Sequence, residues 1–271
     1  MTVHSKTLVF PDMTVPRPDW VMPEPRDVAV DGHRIRYWEK GQGRPLVLVH
    51  GFSGSAIFEW GRVIDALSAR HRVIALQVLG FAPSDQPDII YSTNALVTSL
   101  GRFFSALGLS DIVLLGESFG GWLVGSYAVR AARLGLPPIA RLVIVGGPVG
   151  KLEAPRPDAN GFVHQAVMDE VAGLFRHTPI VDNEAFKARI ARDSGLRRGE
   201  LSLEDAATIA VPTLLLWGDR DALIPLPIAD AALQTIPDAR LTVFQDIGHI
   251  PSVECPTECV AAVRDFGGCG P

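Results

Sequence analysis

The chain is predicted to be an α/β protein: eight strands in a mostly parallel sheet, helices on both faces, and a helical cap inserted after the sixth strand. Three observations carry this. Short apolar runs bounded by turn residues alternate with segments whose apolar residues recur at helical spacing, the pattern of strands joined by crossover helices. One of these runs, residues 111–115, leads into Gly116-Glu117-Ser118-Phe119-Gly120 and then into the helix-forming residues 122–133, so a serine falls at a strand-to-helix junction. The composition, 47% hydrophobic and 20% charged over 271 residues, supports one sizeable core.

Residues 1–26 contain Pro11, Pro16, Pro18, Pro23 and Pro25, which forbid regular ladders and predict an extended arm. Residues 28–30 and 33–38 flank Asp31-Gly32, a pair that tolerates positive φ at both positions, and read as an antiparallel hairpin. Residues 45–50 form a third strand ending at His50-Gly51-Phe52. Ile57, Trp60, Ile64 and Leu67 then recur at helical spacing. Residues 72–77 are a fourth strand; Leu96, Leu100, Phe103 and Leu107 mark a helix closed by Gly108; residues 111–115 and 141–145 are the fifth and sixth strands. From 150 to 205 the pattern changes, with helices expected over 166–175 and 183–193 and no apolar strand run between them. Residues 211–217 and 240–245 restore the strand pattern, with helices over 228–233 and 257–266. The predicted organisation is an arm over 1–26, a core over 27–149 and 206–271, and a cap over 150–205.

Composition narrows the function. With 25 Lys and Arg against 30 Asp and Glu, the net charge of -5 leaves no cationic excess to displace counterions from a phosphate backbone, so nucleic acid is not an expected partner. The apolar stretch at 7–10 is too short for a signal-peptide core, and no run is long enough to span a bilayer. A cytoplasmic protein with no membrane partner is expected. Cys255, Cys259 and Cys269 crowd the end of the chain and form no disulfide framework. No further ligands are spaced to make a metal site with Cys255 and Cys259, so neither metal nor cofactor is predicted.

A sharp turn at residue 118 requires a strained backbone, and Gly116 and Gly120 have no Cβ to collide where strand and helix converge. Ser118 would then present its hydroxyl above the sheet. A serine hydroxyl needs a base to take its proton, and the base needs an orienting carboxylate. His249 follows the last predicted strand, and Asp221 follows the one before it. Glu117, Asp219, Asp246 and Asp85 are expected to be structural or solvated loop residues, and the remaining histidines mostly surface groups.

Over residues 27–266 the sequence resembles the α/β-hydrolase superfamily. The resemblance rests on His50-Gly51-Phe52, on Leu79-Gly80-Phe81-Ala82-Pro83-Ser84-Asp85, on the Gly116–Gly120 motif, on Trp217-Gly218-Asp219-Arg220-Asp221 and on Gly248-His249. It implies a catalytic triad of Ser118, His249 and Asp221, with Asp219 a loop residue, and an oxyanion hole from the backbone N–H groups of Phe52 and Phe119. His50 is implied to brace its loop. Gln77 departs from the Asp common at that position, which is normally structural. The implied activity is hydrolysis of a small, largely apolar carboxylic ester without a cofactor. Hydrolysis of a carbon–carbon bond, as in meta-cleavage-product hydrolases, is the alternative, with Arg189 or Arg192 to hold a substrate carboxylate; a hydrolase-like ligand receptor is a third reading. Residues 151–205 carry eight Lys and Arg against ten Asp and Glu, so no net positive field invites an anion.

Overall fold

The computed structural model describes residues 22–53, 55–150, 184–196 and 198–267. Eight strands form one sheet in the order β1-β2-β4-β3-β5-β6-β7-β8. They are β1 (Pro25–Val30), β2 (His33–Lys40), β3 (Pro45–Val49), β4 (Arg72–Leu76), β5 (Ile112–Glu117), β6 (Ile139–Val145), β7 (Thr213–Gly218) and β8 (Ala239–Phe244). Asp31 and Gly32 take φ of 51° and 82°, making the tight hairpin that pairs β1 with β2. β2 also runs antiparallel to β4, and every other pairing is parallel. β1 begins at Pro25, two residues inside the predicted arm; an edge strand tolerates the missing N–H of proline.

The central strands alternate cleanly between two cores. Val47, Leu114, Ile144 and Leu215 face one layer, which contains Leu96 and Phe103 of α3 (Thr93–Ala106) and Leu123 and Tyr127 of α4 (Phe119–Arg130). Leu48, Val113, Val145 and Leu216 face the other, with Trp60 of α1 (Ala56–Trp60), Ile64 and Leu67 of α2 (Ile64–Ser68), and Val260 and Val263 of α9 (Pro256–Gly267). Burial on both faces is why these strands read as unbroken apolar runs. Serines open three helices by capping: Ser55 accepts from Phe58 N–H, Ser92 from Ala95 N–H and Ser202 from Asp205 N–H.

The helix expected across 57–67 is two short helices, broken at Gly61-Arg62-Val63. Ile57, assigned to the buried stripe, is 40% exposed, while Phe58, Glu59 and Trp60 are buried. Between β6 and β7 lie α5 (Glu184–Asp193) and α6 (Leu203–Ala206), followed after β7 by α7 (Leu226–Thr235) and, after β8, by α8 (Pro251–Glu254). α5 matches the second predicted cap helix; the first, over 166–175, lies outside the described residues. α5 is bound to the loop after β4: Asp193 accepts from Tyr91 N–H, and Arg189 donates to the Ile89 carbonyl and pairs with Asp88 at 2.6 Å. Thr93 Oγ1, at the start of α3, bonds Glu200 and accepts from Gly195 N–H. Among the described residues no helix is long and apolar enough to cross a membrane.

Candidate active site

The end of β5 turns into α4 at Ser118, whose φ of 56° and ψ of -118° lie in a region that side-chain-bearing residues rarely adopt. Such a residue costs on the order of 1–3 kcal/mol and persists only where its surroundings fix it. They do so here: Ser118 N–H donates to the Val145 carbonyl at 2.8 Å, and its own carbonyl accepts from Trp122 N–H. A Cβ on Gly116 would lie 2.2 Å from the Gly120 carbonyl oxygen, and one on Gly120 would lie 2.1 Å from the Val49 oxygen. The two motif glycines are therefore sites of backbone contact, as the turn requires.

Ser118, Asp221 and His249 come together at the carboxyl ends of β5, β7 and β8. His249 Nε2 is 2.9 Å from Ser118 Oγ, and His249 Nδ1 is 2.8 Å from Asp221 Oδ2. The other Asp221 oxygen accepts from the Leu223 and Ile224 amides at 2.9 and 2.8 Å, which holds the carboxylate in place against the ring. Asp219 is exposed and takes no part. Burial by itself would lower the His249 pKa, but the charge and hydrogen bond of Asp221, with the charges of Glu117 and Glu254, outweigh it and hold it above the ordinary 6.5. Glu254 clamps the His249 turn from both sides, accepting from Gly248 N–H at 2.7 Å and Ile250 N–H at 2.8 Å.

Phe52 and Phe119 are neighbours, their rings 4.5 Å apart. Phe119 is the first residue of α4, so its N–H has no acceptor within the helix. His50 is fully buried; its Nε2 accepts from Val78 N–H at 3.1 Å and its Nδ1 donates to the Gly51 carbonyl at 2.8 Å. Burial drives its pKa down to about 4, so it is a neutral brace between the loops after β3 and β4. Gln77 is also buried: its carbonyl oxygen accepts from Ala56 N–H and its amide donates to the Ala82 carbonyl. A neutral amide serves both neighbours, which a carboxylate could not.

Two glutamates are buried beside the site. Glu117, read as structural or solvated, is 1% exposed and accepts from Ser252 through both its N–H and its hydroxyl, so it is structural and not solvated. Glu59, which carried no signal in the sequence, is 2% exposed; its carboxylate accepts from Gly51 N–H at 2.8 and 3.0 Å and from the Ser53 hydroxyl. His71, grouped with the surface histidines, is buried, and burial lowers its pKa. Arg189 and Arg192, the candidates for an anion clamp, are engaged elsewhere: Arg189 on Asp88, Ile89 and the Tyr91 ring, Arg192 on Asp193. Among the described residues no three His, Cys, Asp or Glu converge to hold a metal ion.

Residues 46–262 match the model of the alpha/beta hydrolase family. The chain belongs to that family. The hydrolase is 30% identical over 264 residues to the 2-hydroxy-6-oxo-6-(2'-aminophenyl)hexa-2,4-dienoic acid hydrolase of Metapseudomonas resinovorans, covering 89% of this chain and 90% of the relative. It is 29% identical to Lipase 1 of Psychrobacter immobilis over 260 residues, 87% of this chain and 81% of the lipase. Among solved structures, a meta-cleavage product hydrolase from Pseudomonas fluorescens superposes with a TM-score of 0.73 at 25% identity, covering 89% of this chain and 97% of that one. Its relatives thus include a dienoic acid hydrolase, a meta-cleavage product hydrolase and a lipase, and the protein is a hydrolase.

Proposed function

We propose that the protein is a serine hydrolase that cleaves a small, largely apolar carboxylic ester through an acyl-enzyme. The observation that carries this is the unbroken relay from Ser118 Oγ through His249 to Asp221, with contacts of 2.9 and 2.8 Å. Ser118 Oγ attacks the ester carbonyl while His249 Nε2 takes its proton; Asp221 holds the tautomer that leaves Nε2 free to accept. Charge developing on the carbonyl oxygen is met by the Phe52 and Phe119 N–H groups. His249 then protonates the departing alcohol, and a water activated by the same imidazole releases the acid and restores Ser118.

The Ser118→Ala protein should keep its fold and lose turnover of p-nitrophenyl acetate, and a fluorophosphonate probe should label Ser118 alone. Substantial residual turnover, or label on another serine, would overturn the acyl-enzyme reading. The preference for an ester rests on Arg189 and Arg192, whose guanidinium groups are already committed to the loop after β4 and to Asp193. Hydrolysis of a carbon–carbon bond is the second reading, supported by the dienoic acid hydrolase among the relatives and by one cation: Lys187 on α5 lies close enough for its charge to lower the pKa of His50. Assay of an aryl ester against a vinylogous 1,5-diketone acid separates the two. A strong preference for the diketone acid, lost in Lys187→Ala, would replace the ester reading.

A further inference from the structure

Next to Ser118 in the chain and under the loop after β3, two carboxyl groups are buried that the relay does not use. Glu59 reaches in from α1 and Glu117 from the end of β5. Gly51 lies between the two residues: an added Cβ there would be 3.3 Å from Glu59 Oε1, 3.1 Å from the Glu117 backbone carbonyl oxygen and 3.0 Å from Ser118 Cβ, and the charge of Glu59 acts on the Glu117 carboxyl. Each acid binds a different part of the site. Glu59 receives Gly51 N–H and the Ser53 hydroxyl, which flank Phe52; Glu117 receives the N–H and hydroxyl of Ser252, three residues beyond His249. The two parts also touch directly, since Phe58 of α1 packs on Ile250 and Val253.

We propose that Glu59 and Glu117 are paired positioning residues, an internal brace that sets the Phe52 amide against Ser118 on one side and the His249 turn against it on the other. The proposal rests on the serine-hydrolase reading above. Both carboxyl groups are buried and the charge of Glu59 acts on Glu117, so ionising one opposes ionising the other. The groups that act on Glu117 are Glu59, Ser252 and His249, and its own charge acts in turn on the Cys255 and Cys259 thiols. None of these is a permanent cation. Burial raises both acids, Glu59 to about 8. The pair therefore keeps a proton through neutral pH, and the brace loosens when alkali removes it, because the added charge must be hydrated and water must enter under the loop after β3.

The test uses the full chain and follows kcat and KM for p-nitrophenyl acetate, together with the rate of fluorophosphonate labelling, from pH 5 to 10. Wild type should show an alkaline fall in kcat near pH 8 with KM little changed. Glu59→Gln and Glu117→Gln, which keep the shape and remove the titrating proton, should stay within about fivefold of wild type at pH 7 and lose that alkaline fall. Glu59→Ala should lower kcat by roughly 10- to 100-fold, the scale of a small misplacement of catalytic groups. Should the alanine variant not fold, the pH profiles of the two glutamine variants decide alone. If wild type shows no alkaline fall, or both glutamine variants keep it, the brace is overturned. Failure of the probe to mark Ser118 would instead remove the serine-hydrolase reading, and the brace with it. Labelling of Ser118 in every variant at the wild-type rate and pH dependence would leave the relay standing and overturn the brace alone.

Discussion

Asp219 and Asp221 lie two residues apart after β7, yet only one has its carboxylate against the imidazole. Asp221→Asn keeps the volume but reverses the hydrogen-bond demand at His249 Nδ1, so kcat should fall by about ten-thousand-fold. Asp219→Asn, at an exposed side chain, should change kcat by less than about threefold. Steady-state kinetics on the two variants checks the ranking. The acid limb of the rate follows from the same contact. Only neutral His249 accepts the serine proton, and its pKa is raised, so activity should be lost as pH falls through a value above 6.5. A kcat/KM profile between pH 5 and 8 measures that limb, and Asp221→Asn should move it downward, because the attraction that favours the charged ring is gone.

Glycines at element junctions separate contact from conformation. Gly120 has no room for a side chain, so Gly120→Ala must push the Val49 backbone away from the nucleophile turn and should abolish activity and lower the melting temperature sharply. Gly108, which closes α3 with φ of 60°, has open space around it; Gly108→Ala should cost only about 1–2 kcal/mol and leave kcat intact. Thermal melts with parallel assays distinguish the two. The strands were legible because a parallel sheet buried on both faces leaves runs such as Leu46 to Val49 with no polar interruption. The elbow was legible because its glycines are forced by backbone contact. What could not be read was anything shorter than two turns: α1 and α8 are five and four residues long, too short to show a period. Glu59 was hidden for that reason. In a five-residue helix nothing in the spacing marks which side faces inward, and a glutamate is by default assigned to water. Ser118, Asp221 and His249, by contrast, each follow a readable strand, which made them candidates, and the choice of Asp221 over Asp219 came from the family resemblance.

Across the whole molecule, the enclosed acids make stability depend on pH in an unusual direction. Glu59 holds its proton in the folded state up to about 8, whereas the unfolded chain gives it up near 4.5. Between those values the native state binds more protons, so unfolding free energy should fall as pH rises, by up to about 1.4 kcal/mol per pH unit for each proton retained. Glu117 acts in the same sense, and so does His249 through its raised pKa. Asp27 and Glu200, whose pKa values are lowered, contribute below this window, and the buried His50 and His71, held neutral, act in the opposite sense up to about 6.5, so the decline is steepest above that value. Urea unfolding at pH 5, 6.5 and 8 should show the decline, and Glu59→Gln should flatten it.

The placement of the reacting groups on separate strands also governs when the protein becomes chemically competent. Ser118 and His249 are 131 residues apart in the chain. During synthesis, Ser118 emerges from the ribosome long before His249, and β8, the edge strand that pairs with β7 and leads into His249, follows the other seven described strands in the chain. On the proposed serine-hydrolase reading, the serine stays an ordinary alcohol until that strand pairs, and the nascent chain does not react with acyl compounds before then. Recovery of activity on refolding should therefore trail recovery of secondary structure, since the longest loop in the site closes last.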